Sequence, residues 1–237
     1  MPKKPISLVV LVFLPAVLSL GATCHAQAVK PASYPVAAPL DQYFIPAKAS
    51  EIELARSAAP ASISGAAEVL VLTRDGYTTA VKGGNGFVCL VERSFAAATD
   101  DPVFWNPKIR GPICVNAPAA RTFLPTVLMK AKLVLAGKSK TEIAQAVRSA
   151  MVKKELPALE PNAMSYMLSK QQYLNDEAKN WHPHMMWFVP GDADKSWGAN
   201  LPGSPTFASD DHDARMTILM VGVGNWSDGT PAPHAGN

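Results

Sequence analysis

The stretch VLVLTRDGYTTAVKGGNGFVCLV, Val69–Val91, decides how the rest of this chain is read. Val69–Thr73 and Tyr77–Val81 are β-rich runs separated by Asp75-Gly76, a pair that readily takes the positive φ of a tight hairpin turn. Gly83-Gly84-Asn85-Gly86 then leads into Phe87–Val91. Three strands joined by tight turns predict an antiparallel meander. The glycines join two strand patterns and no helix follows them, so they read as turn chemistry and not as a phosphate cradle.

Working outward, Phe104-Trp105-Asn106-Pro107 and Gly111-Pro112 mark a loop that carries Cys114. Upstream, Ser50-Glu51-Ile52-Glu53 matches a capping box opening a short helix to about Ala58, ended by Pro60. Downstream, helical periodicity takes over from Pro118, and Pro125 starts or kinks that helix. Gly137 is a natural helix stop, and Ser139-Lys140-Thr141-Glu142 is a second capping box. The letters Gly137-Lys138-Ser139 do not end a nucleotide-binding P-loop, because the glycine that motif needs is Lys132. Met164–Ser169, 184–189 and Met216–Val223 read as further strands, with Ala208–Arg215 as a polar loop. Strands, then a helical hairpin, then strands predict an α+β domain. Its sheet is expected to be mostly antiparallel, with about five or six strands and the hairpin packed on one face.

The amino terminus carries an export pattern. Lys3 and Lys4 precede an apolar run from Ile6 to Leu20, followed by small residues up to Ala28. This predicts a signal peptide over residues 1–26, too short and wrongly flanked to span a membrane. Cys24 sits in a poor lipobox context, so a lipid anchor there is not expected. Residues 27–48 read as an extended Pro/Ala-rich lead-in, 49–228 as one α+β domain and 229–237 as a flexible tail. Without Lys3 and Lys4 the 22 basic residues become 20 against 19 acidic ones, a net charge of about +1. No basic block remains for nucleic acid, and no second apolar run is long enough to cross a bilayer. With Cys24 removed, Cys89 and Cys114 are an even pair in an oxidising compartment, which predicts a disulfide between them.

The chemistry-bearing stretch is Asn180-Trp181-His182-Pro183-His184-Met185-Met186-Trp187-Phe188. Strand alternation places His182, His184, Met186 and Phe188 on one face. Two imidazoles at this spacing can act as acid–base groups or bind zinc, with His212 from the Asp210–Asp213 segment as a third ligand. The neighbouring methionines make copper the softer alternative. Against this stands a structural reading: Pro183 belongs at a strand start, and His184 is then a core histidine bonded to a carbonyl. Trp181, Trp197 and Asn200 are candidate ligand contacts, since loop tryptophans stack on flat ligands or pin loops to the core. Tyr166 and Lys170 show a Tyr-x3-Lys spacing without any dinucleotide fingerprint, and are carried only as candidate ligand contacts.

The words NGFVCLV, FWNPK and NWHPHMMWF together resemble a family of exported bacterial proteins of unknown function, over most of the mature chain. The resemblance implies export and carries over no activity or site. The expectation is therefore an exported protein that binds a small molecule or protein partner. The alternative is a hydrolase-like or metal-dependent enzyme using His182 and His184.

Overall fold

The computed structural model describes residues 34–177 and 179–232. The expected signal peptide, Cys24, the start of the lead-in and residues 233–237 lie outside the described residues. Eight strands form one mixed sheet: β1 (Glu68–Thr73), β2 (Gly76–Val81), β3 (Val88–Glu92), β4 (Gly111–Val115), β5 (Met164–Met167), β6 (His184–Pro190), β7 (Thr206–Asp211) and β8 (Met216–Gly222). Their order is β2-β1-β3-β4-β5-β6-β8-β7. The α+β class and the mostly antiparallel sheet are as expected; the count of five or six strands was too low.

The opening stretch folds with one change of topology. β1 and β2 form the hairpin across Asp75-Gly76, with Gly76 at φ +108°. β3, however, pairs parallel to β1 on its other side, through Glu68 with Val88 and Val69 with Cys89. The chain is therefore not a meander, because residues 82–87 pass beneath the start of β1 in place of a tight turn. Gly84 N–H donates to the Ala66 carbonyl at 2.9 Å, and Glu68 N–H to that of Phe87 at 2.9 Å. A Cβ on Gly83 would lie 2.1 Å from the Glu68 nitrogen, so only glycine permits this crossing.

Two strands replace expected loops. β4 forms where Gly111-Pro112 looked like a turn, and it runs antiparallel to β3 with Cys114 directly opposite Cys89. These two cysteines are joined as a disulfide. β7 occupies much of the segment read as a polar loop and makes a hairpin with β8. Its acidic residues are committed: Asp210 accepts from Thr217, and Asp211 accepts from Lys130.

Burial explains the apolar runs of β1, β3 and β4. On one side Val69, Cys89, Val91 and Cys114 pack with Ala55 of α1 (Lys48–Arg56). On the other, Leu70, Leu72, Leu90 and Ile113 share a larger core with Val127 and Val134 of α4 (Leu124–Leu135) and Ile143 and Val147 of α5 (Lys140–Val152). Strands covered on both faces need no alternation of polar residues.

The helix signals divide. Ser139 and Glu142 form the expected capping box of α5. Gly137, at φ +75°, closes α4 with its N–H on Val134 and the Lys138 N–H on Leu133, a Schellman arrangement. Pro125 starts α4 after a short α3 (Ala117–Thr122). The Ser50–Glu53 box does not form, because α1 already begins at Lys48. Glu51 is buried there and accepts from the Leu72 N–H and from Arg93. A short α2 (Ala61–Ser64) completes the α-helices among the described residues.

Cys89–Cys114 closes a loop of 25 residues. Replacing both cysteines with alanine is expected to lower the unfolding free energy by about 3 kcal/mol, read from denaturant midpoints.

Candidate functional site

Trp181 stands at the centre of the site. Gln172, almost fully buried, donates through Nε2 to the Trp181 carbonyl at 2.5 Å. Val223 N–H donates to the Pro183 carbonyl at 2.9 Å, holding residues 181–183 against the end of β8. Pro183 stands just before β6, as a residue without an N–H should.

Alternation along β6 is as expected: His184, Met186 and Phe188 are buried, while Met185 and Trp187 are half-buried on the other face. His184 Nδ1 lies 2.8 Å from the His182 carbonyl, which can only accept, so Nδ1 carries the proton and Nε2 the lone pair. Burial pulls the His184 imidazole down to about pKa 4. Its ring meets Trp181 at a centroid distance of 4.7 Å, and Trp181 meets Phe207 edge-on at 5.3 Å.

Trp181 lines two cavities. An outer cleft of about 550 Å³ is bounded by Trp181, His182, Phe207, Gly224, Asn225 and Pro231. Residues 229–232 of the expected tail help to build it, since Asn225 bridges to Pro231. An inner cavity of about 250 Å³ lies between the sheet and the segment 93–109, and Trp181 also forms part of its wall. Its lining includes Phe123, His184, Met186 and two residues that the sequence did not single out, Glu92 and Ser94.

Glu92 and Ser94 flank Arg93, whose extended backbone turns both side chains to the same side. Neither Glu92 Oε1 nor Ser94 Oγ has a hydrogen-bond partner among the described residues. Burial raises the Glu92 carboxyl to about pKa 8, partly offset by the Lys130 charge. Glu92 keeps some accessible surface because it faces the cavity, while its carboxyl is enclosed deeply enough to lose most of its hydration. The signal was present in the sequence: continuing the β3 alternation past Leu90 puts Glu92, and then Ser94, on the same face.

Other candidates lie elsewhere. β6 and β8 pair His184 with Gly222 and Pro190 with Met216. His212 follows the last residue of β7, which pairs with Met216, and so sits at the far end of β6. Six strand residues separate the two ends, about 20 Å. The proposed set of His182, His184 and His212 is therefore not brought together. The Asp-rich segment folds over the opposite rim because the register carries it there. His212 instead faces Asp192 at 3.1 Å, and that hydrogen bond holds its pKa above the ordinary histidine value. Among the described residues no group of three His, Cys, Asp or Glu gathers as metal ligands.

Asn200 uses its side-chain amide on β7, donating to the Ala208 carbonyl and accepting from the Ala208 N–H. Trp197 is exposed in a 3₁₀ turn and lines neither cavity. Tyr166 packs near Phe87 on the disulfide side of the sheet, and Lys170 pairs with Asp228 at the surface. Trp105 and Trp226 are buried loop pins.

The chain matches no protein-family model, no curated protein and no solved structure.

His184 should leave a signature in the pH dependence of stability. Its depressed pKa means that its contribution is complete above about pH 6.5 and is lost as pH falls towards 4, a change of about 3 kcal/mol. Glu92 has the opposite slope, losing stability as pH rises from the ordinary glutamate value of about 4.5 to about 8. Comparing His184→Asn with wild type cancels the Glu92 contribution. The variant is expected to lose about 3 kcal/mol less than wild type between pH 7 and 4 in urea titrations.

Proposed function

We propose that this is an exported binding protein for a small, largely apolar ligand, received at the Trp181 cleft. The observation that carries the reading is that one half-buried tryptophan forms a wall of two adjoining apolar pockets, one of about 550 Å³ and one of about 250 Å³. Rings in such positions offer flat contact area with little conformational freedom to lose. The resemblance to exported bacterial proteins, the amino-terminal pattern and the Cys89–Cys114 bridge support export. Among the described residues no helix is long and apolar enough to cross a membrane.

Binding is favoured over hydrolysis at His182 and His184. The His184 imidazole is a weak base at neutral pH, whereas a general base works best with a pKa near the working pH.

The uncharged fluorescent probe N-phenyl-1-naphthylamine matches the larger, outer cleft in size and apolar character. Saturable one-site binding is expected, weakened about tenfold in Trp181→Ala. Equal binding by a folded Trp181→Ala protein, or no saturable binding by wild type, would sink this reading. For export, amino-terminal sequencing of the chain released by an expressing bacterium is expected to begin at Gln27 or Val29. An intact Met1 there speaks against a cleaved signal.

A further inference from the structure

We infer that the inner cavity is a recognition site for the polar head of a compact, uncharged aromatic ligand, held by Glu92, Ser94 and His184. This deepens the ligand-binding reading and rests on it, taking Trp181 as the wall between the arrival cleft and the cavity.

Three observations converge. The cavity is large enough for a small aromatic molecule: about 250 Å³ compares with the roughly 150 Å³ that suffices for benzene in an engineered apolar cavity. Its walls are mostly apolar, with Phe123, Trp181, Met186 and Phe188 among them. Into this surface project two polar groups that the fold leaves without partners, Glu92 Oε1 and the almost fully buried Ser94 Oγ. Burying such atoms unbonded costs free energy, and a ligand that satisfied them would recover it.

The polarity of the head follows from the states of these groups. A protonated carboxyl both donates and accepts, a serine hydroxyl does the same, and His184 Nε2 only accepts. A primary amide, which offers a carbonyl oxygen and an N–H₂, matches that set. An ammonium head is disfavoured, because it would lose its hydration in a mostly apolar cavity beside a carboxyl that burial keeps protonated. Lys130 on α4 is paired with Asp211 of β7, and Arg93 is paired with Glu51 of α1. Asp101 also lines the cavity, and its Oδ1 accepts from the Val103 N–H. The neighbouring acids are thus already bonded, and Glu92 is the group whose charge state responds to a ligand.

Benzamide and benzylamine have nearly the same size and differ in the head, so they make the test. Calorimetric titration of the purified, disulfide-bonded protein is expected to show saturable benzamide binding, about tenfold weaker at pH 9 than at pH 6, because Glu92 ionises in between. Glu92→Gln, which keeps a donor and an acceptor, should bind benzamide within about threefold of wild type and without that pH step. Glu92→Leu should weaken binding by at least about tenfold, and Ser94→Ala should weaken it in the same direction. The inference is overturned if wild type shows no saturable benzamide binding, if Glu92→Leu binds it as well as wild type, or if benzylamine is preferred with affinity rising to pH 9. Failure here with intact naphthylamine binding removes the inner site alone. Loss of naphthylamine binding removes the outer-cleft reading instead.

Discussion

The buried pair Arg93–Glu51 is the constraint on which the sheet and the cavity both depend. β1 and β3 pair only through their first residues, so farther along they part, and the Leu72 N–H faces the gap. Glu51 fills it from α1, accepting from Leu72 at 3.1 Å and from Arg93 Nη2 at 2.8 Å. Arg93 also donates to the carbonyls of Tyr43 and Val91, so its guanidinium is bonded on several sides. Buried ions stabilise only when so completely partnered. Removing one member strands the other, at a cost of about 3–5 kcal/mol. α1, the lead-in, β1 and β3 therefore meet at one charge pair.

The same pair aims the cavity. With Arg93 held towards α1, the residues on either side of it must face the other way, where Glu92 and Ser94 meet the apolar space beneath β6 and β8. A second buried pair, Lys130–Asp211, ties α4 to the end of β7 and leaves Glu92 without an ionic partner. Two satisfied ion pairs thus surround one unsatisfied carboxyl. An acid in a protein interior is ordinarily bonded, whereas Glu92 Oε1 has no partner among the described residues.

Much of the local structure was legible because its causes are local. Asp75-Gly76, Gly137 and the Ser139–Glu142 box act within a few residues, where backbone conformation and capping chemistry are written directly in the letters. The alternation along β6 was legible for the same reason. What failed was pairing across distance. The meander reading treated residues 83–86 as a turn, whereas Gly83 is needed for a close backbone crossing. β7 hid because Asp211 looks like a loop residue until Lys130, far away in sequence, is seen to neutralise it.

By itself the sequence determined the α+β class, the hairpin at Asp75-Gly76, the helix boundaries around Gly137 and the cysteine pair, since period, turn chemistry and cysteine count each act without a distant partner. Only the tertiary structure decided the parallel β1–β3 pairing, the separation of His212 from His184 and the meeting of Glu92, Ser94, His184 and Trp181 around one cavity. Those outcomes follow from strand order and register, and register depends on which distant surfaces and charges must be buried together.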